Sequence, residues 1–186
     1  MLRFNSDHKF KIMQIADTQE IPAVSPDTLS LINNALDREK PDLVIFTGDQ
    51  IKGYSKKFKK DPAIIESTID ILVEPIAKRN IPFMVTYGNH DAQCGVDNRG
   101  QYKFYAKYDN FISGDLRNAD DVGTADIQIY SSTEDKPVFE LYIIDSHGKA
   151  KDGAGYAPVD KKQIEWYVSR REQLKAENGD YLPSLV

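Results

Sequence analysis

Pro41 to Asp49, PDLVIFTGD, is an unbroken apolar run opened by a proline and closed by a glycine turn and a carboxylate. A run this short, apolar and β-branched reads as a strand buried on both faces, as in a parallel α/β sheet. Asp49 then sits just past the carboxyl end of that strand, where open α/β sheets place their ligands. Two other stretches share the design: Lys11 to Asp17 (KIMQIAD) ends in Asp17, and Pro82 to Asp91 (PFMVTYGNHD) ends in Gly88, Asn89, His90 and Asp91. Three strands are therefore expected to deliver carboxylates, amides and an imidazole to one edge.

Helices are expected between these strands. Ser25 caps the first, with Pro26 at its first position and Leu29, Ile32, Ala35 and Leu36 at helical spacing until Lys40-Pro41 stops it. Asp61-Pro62 opens the second, whose apolar positions run from Ile64 to Ile76 and whose last turn should kink or fray at Glu74-Pro75. Strand, helix, strand in so few residues predicts a parallel crossover. Gly53 to Lys60 (GYSKKFKK) has no periodicity and reads as a loop, its lysines a solvated surface or a rim that attracts an anion. The aromatic stripe from Tyr102 to Phe111 reads as core packing. Ser113 to Gly123 is turn-rich; Ile127 to Tyr130 and Val138 to Asp145 read as strands joined by a hairpin turn. Lys149 to Pro158 is a Gly-rich loop. Asp160 to Gln163 resembles a capping box, opening a helix with Ile164, Tyr167, Val168, Arg171 and Leu174, and Trp166 is expected to pack against a sheet. Asn178-Gly179 ends this helix, and Tyr181 to Val186 begins another strand.

The 186 residues, 40% hydrophobic and 28% charged, fit one globular domain with a real core. A net charge of -5 argues against broad electrostatic binding of nucleic acid or anionic membrane. Cys94, the only cysteine, allows no intrachain disulfide and reads as a buried, inert thiol. No apolar run approaches a membrane span, so the expected location is cytoplasmic.

Asp17, Gln19, Asp49 and Asn89 are hard oxygen donors at three neighbouring strand ends. Carboxylates gathered at one edge repel unless a cation sits among them. Asp49 is the natural bridge, since its two oxygens can face two metals about 3.5 to 4 Å apart, the spacing used in phosphoryl chemistry. Asn89 can give its amide oxygen while His90 stays free for acid-base work. Gly-Asp and Gly-Asn taken singly are usually turn formers; three in register after apolar strands point to a metal site.

With these motifs the chain resembles the calcineurin-like metallophosphoesterase superfamily, whose signature runs D-x-H, G-D, G-N-H plus an acid, and later histidines including G-H-x-H. Asp17-Thr18-Gln19, Gly48-Asp49 and Gly88-Asn89-His90-Asp91 match in order. Asp145-Ser146, Gly155-Tyr156 and Gln163 to Tyr167 (QIEWY) further resemble a purple-acid-phosphatase-like branch. The resemblance implies an α/β fold, a metallophosphoesterase-type layered β-sandwich flanked by helices. It also implies hydrolysis of phosphoesters, small-molecule or phosphoprotein, by a metal-bound hydroxide at a binuclear site. Asp17 and Gln19 would bind the first metal, Asp49 would bridge, and Asn89 would bind the second. His90 would stabilise phosphoryl oxygens or protonate the leaving oxygen, with Asp91 tuning or orienting it.

Two departures stand out. Gln19 replaces the usual histidine, which shifts preference toward Mn or Mg, with Fe or Zn still compatible. The later metal histidines are missing, and His147, the remaining candidate, is expected to line the rim rather than bind. The chain is therefore expected to be the amino-terminal part of a longer phosphoesterase, with uncovered apolar surface that favours homo-oligomers. The competing expectations are a non-catalytic binding module of the same fold and, last, a flavodoxin-like nucleotide binder, which the absence of glycine after Asp17 disfavours.

Overall fold

In a computed structural model of the chain, which describes residues 1–114, 121–150, 153 and 155–186, the expected strand PDLVIFTGD is β3, Leu43–Thr47. Its neighbours are β2, Ile12–Ile15, and β4, Phe83–Thr86, and the three form a parallel sheet in the order β2-β3-β4. The connecting helices are α1, Pro26–Glu39, and α2, Pro62–Lys78. Ser25 and Asp61 cap them, accepting from the N–H of Asp27 and Ala63, and each has its proline in the first turn. The α2 helix continues through buried Pro75 to Lys78 instead of fraying there.

The two faces of β3 are buried against different things. Val44 and Phe46 pack on α1, α2 and α3 (Asn98–Ala106), together with Ile32, Leu36, Ile69, Val73 and Tyr105. Leu43 and Ile45 pack instead on a second sheet, against Leu2, Ile129, Leu141 and Ile143. An apolar run with no alternation is what such double burial requires. The second sheet has the order β1-β5-β6-β7, from β1 Leu2–Arg3, β5 Ala125–Tyr130, β6 Pro137–Ile143 and β7 Ser184–Leu185. The hairpin of β5 and β6 is antiparallel, and β1 and β7 join it in parallel. The aromatic stripe lies in or beside the first core, as expected. The outer face of the second sheet carries α4, Lys161–Asn178, whose capping box between Asp160 and Gln163 is present. The layers are thus helices, parallel sheet, mixed sheet, helix. The turn-rich stretch before Gly123 and the loop after Lys149 lie partly outside the described residues.

The helix α4 is rotated from the face its apolar spacing marks. Ile164 and Val168 are each 51% exposed, whereas Gln163 and Leu174 are buried and Tyr142 contacts the rings of Trp166 and Tyr167. The reason is polar: Arg170 Nε donates to Asp126 Oδ2 at 2.9 Å, and both Asp126 and its neighbour Glu140 are buried on the outer face of the sheet. Two buried acids with one guanidinium leave a negative charge in excess, so one carboxyl retains its proton. Burial first, and then the adjacent Asp126, hold the Glu140 carboxyl well above the ordinary range, with Arg170 opposing and Glu177 adding to the rise. The folded state thus keeps a proton that the unfolded chain releases near pH 4.5, and stability falls as pH rises from about 5. Glu140→Gln keeps a donor toward Asp126 without a titrating group. Urea unfolding at pH 6 and pH 8 should show the wild type losing stability across that interval and the variant holding nearly constant; equal slopes would refute the assignment.

Candidate metal centre

The parallel register carries the three post-strand turns to one edge, where the backbone knits them together. Ile15 pairs with Phe46, and Thr47 with Thr86. Beyond the strands the Asp17 N–H donates to Gly48 O at 3.0 Å and the Gln19 N–H to Asp49 O at 2.9 Å. Asp17, Gln19 and Asp49 all have positive φ, 53°, 43° and 53°, in the left-handed region that non-glycine residues seldom occupy. Such strain is held only where surrounding structure over-determines it, and here it falls on three of the expected ligands.

Asp49 joins the turns through its side chain. Its buried carboxylate accepts the His90 N–H at 2.9 Å on Oδ1 and Gln19 Nε2 at 3.3 Å on Oδ2. Asp17 is exposed at the mouth, and Gln19 and Asn89 are half-buried. Gly88 permits the approach of the third turn: a Cβ there would lie 2.1 Å from Asp49 Oδ1 and 2.5 Å from Asp49 N. Gln19 thus meets Asp49 by side chain and Asp17 joins the same edge by its backbone, and Asn89 follows directly on the glycine packed against Asp49.

The Asp91 carboxylate points inward. It accepts the N–H groups of Asp49 and Gly88, both at 2.8 Å, and of Ile51 at 3.3 Å, and it is 1% exposed. Burial pushes its pKa up to about 6 against the lowering effect of those three donors. Asp91 therefore fastens the second and third turns to each other. The His90 ring finds other partners: Nδ1 lies 3.0 Å from Gln93 Oε1, and the Tyr54 ring stands 4.6 Å away, centroid to centroid.

A second group of side chains, of which only His147 is weighed as a ligand from the sequence, meets beside the third turn. One ligand atom each from Asp121, Asp145 and His147 lie within 4.8 Å of one another, close enough for one cation. They line a cavity of about 320 Å³ with Asp97, Asn98 and Arg99. Gly148 lies next to Asn89, so this cavity borders the strand-end cluster. Both carboxylates are already engaged: Asp145 accepts from Asn98 Nδ2 at 2.9 Å and the His147 N–H at 2.8 Å, and Asp121 accepts from Thr124 Oγ1 and Gln163 Nε2, each at 2.6 Å. Burial raises the Asp145 carboxyl, with the His147 N–H opposing and Asp121 reinforcing. Asp145 closes the fourth expected strand, Val138 to Asp145, as the other acids close theirs, whereas Asp121 sits where no pattern marks it.

The calcineurin-like phosphoesterase family model matches residues 10–182. Among curated relatives, the probable inactive purple acid phosphatase 14 of Arabidopsis thaliana is 28% identical over 206 residues, covering 95% of this chain and 50% of that protein. The phosphatase DCR2 of Saccharomyces cerevisiae is 33% identical over 190 residues, covering 89% of this chain and 32% of that one. The chain thus spans a third to a half of the length of these relatives. A dimetal phosphatase from Danio rerio shares the fold, with a TM-score of 0.61 at 12% identity over 95% of this chain and 68% of the other.

Proposed function

From the premise that the chain belongs to the calcineurin-like phosphoesterase family, we propose that it carries the metal-binding half of a divalent-cation-dependent phosphoesterase site. The observation that carries this reading is the convergence on Asp49 of side-chain and backbone contacts from the turns after three strands, two of which hold residues at positive φ. The donor set fits: two carboxylates and two amide oxygens are hard ligands, suited to two Mn or Mg ions before Zn. Asp17 and Gln19 would hold one ion, Asn89 the other, and Asp49 both. Gln19 now presents its amide nitrogen to Asp49 and would turn its oxygen inward to serve as a ligand. When bound, such ions lower the pKa of a water and neutralise phosphoryl charge.

The chain's own residues do the rest. The His90 imidazole stands at the same edge, able to face a phosphoryl oxygen or to protonate a leaving oxygen. The loop after Asp49 exposes Lys56, Lys57, Lys59 and Lys60, which favour approach of an anionic substrate, small-molecule phosphoester or phosphoprotein. Asp91 keeps the turns from separating as charges enter and leave.

A second reading, a metal-binding module without turnover, is favoured by the amide at Gln19 and by relatives named inactive. Calorimetric titration with Mn, followed by assay on a chromogenic aryl phosphoester, decides between them. Saturable binding with cation-dependent hydrolysis is the expected result. Binding without hydrolysis selects the second reading, and absence of binding by Mn, Mg, Zn and Fe alike removes both.

A further inference from the structure

His90 is held from two sides by residues to which the proposed function gives no role. From one side the chain after Asp49 folds back so closely that a Cβ on Gly53 would lie 2.0 Å from the His90 carbonyl oxygen, and only glycine fits there. That contact brings the next residue, Tyr54, edge-on to the imidazole at 4.6 Å with an interplanar angle of 61°. Lys52 Nζ in turn lies 5.3 Å from the Tyr54 ring centroid, on the same short loop. From the other side, one helical turn past His90, Gln93 places Oε1 3.0 Å from Nδ1. The Gln93 N–H bonds to the His90 carbonyl, so the two residues are joined by backbone as well as side chain.

An amide oxygen only accepts, so with Gln93 Oε1 facing it Nδ1 is the ring nitrogen placed to carry the proton. We propose that Gln93 and Tyr54 are positioning residues for His90: Gln93 keeps the proton on Nδ1, Tyr54 fixes the ring plane, and Nε2 is left as the reacting nitrogen. This rests on the phosphoesterase reading for its consequence but not for its geometry. With Nδ1 facing Gln93, Nε2 is the ring nitrogen left to act. A freely rotating imidazole would divide its population between tautomers and orientations, only one of which serves.

Nitrogen-edited NMR of the metal-free protein tests this directly. The chain has three histidines, and His90→Asn assigns the signals of interest by their disappearance. Neutral His90 is expected to carry its proton on Nδ1. Gln93→Leu should move the population toward the Nε2–H form, and Gln93→Glu, which keeps an acceptor, should restore Nδ1–H. Tyr54→Ala should shift the ring signals, and Tyr54→Phe should leave them near wild type. In the cation-loaded protein, Gln93→Leu should lower kcat on the aryl phosphoester about tenfold with KM little changed. A wild-type ring protonated on Nε2, or a Gln93→Leu ring with the wild-type tautomer, overturns the proposal. So does a tautomer that moves while kcat does not. If the wild type proves inert with the expected tautomer and shifts, the placement of the ring stands and the phosphoesterase reading alone fails.

Discussion

Asp49→Ala will lower kcat/KM for cation-dependent phosphoester hydrolysis by about a thousandfold and remove tight divalent binding. The argument is geometric. The side chain leaves a strained residue at φ 53° and touches both the first turn, through Gln19, and the third, through the His90 N–H. Removing it deletes a negative charge between the proposed cations and also releases the backbone that carries His90. The stability cost should stay near 1 kcal/mol, since the two hydrogen bonds lost, from the His90 N–H and from Gln19, are only partly buried. Asp49→Asn separates the two roles: its amide oxygen can still accept from His90, so folding should be preserved while Mn affinity drops at least about tenfold. Calorimetry and steady-state kinetics on both variants check this. Retention of hydrolysis within threefold of wild type in Asp49→Ala would sink the assignment.

Asp91→Ala is expected to act on the fold rather than on chemistry, and to be the most destabilising single change at this edge. It leaves the N–H groups of Asp49, Ile51 and Gly88 without their acceptor in a place closed to water. A loss of about 3 kcal/mol follows, or a fall in Tm of roughly 6 to 12 °C for a chain of this size. Asp91→Asn should recover a large part of the loss, because its amide oxygen can take the place of Oδ2 and accept from both Asp49 and Gly88, leaving only the Ile51 N–H to face the amide nitrogen. Thermal and urea unfolding give the measurement. A variant within 0.5 kcal/mol of wild type (about the scatter of surface substitutions) would show that Asp91 holds nothing together.

This inward role for Asp91 could not be read from the run GNHD, where its position beside His90 suggested an orienting partner. The ring of His90 turns to Gln93, three residues on, because the short helical turn at Asp91–Cys94 points the Asp91 carboxylate down into the second turn while Gln93 stays at the surface. Similarly, the spacing of Ile164 and Val168 marks one face of α4, yet Arg170 and Gln163 choose another by pairing with Asp126 and Asp121, more than forty residues away. Such partners carry no local periodicity. Strand β1 went unseen for the same reason: two residues cannot display alternation, and Leu2 acquires its strand character from Ile129.

What the sequence determined by itself was everything encoded within about one element's length. An apolar run without alternation specified β3 and its two buried faces; Ser25-Pro26, Asp61-Pro62 and Asp160 with Gln163 specified where three helices begin. Parallel strands with acids after them specified the edge at which the turns after β2, β3 and β4 meet. Tertiary structure alone decided which polar groups satisfy one another across that edge and under α4, because burial makes an unmatched donor or charge costly and the match is found in space, at whatever separation along the chain.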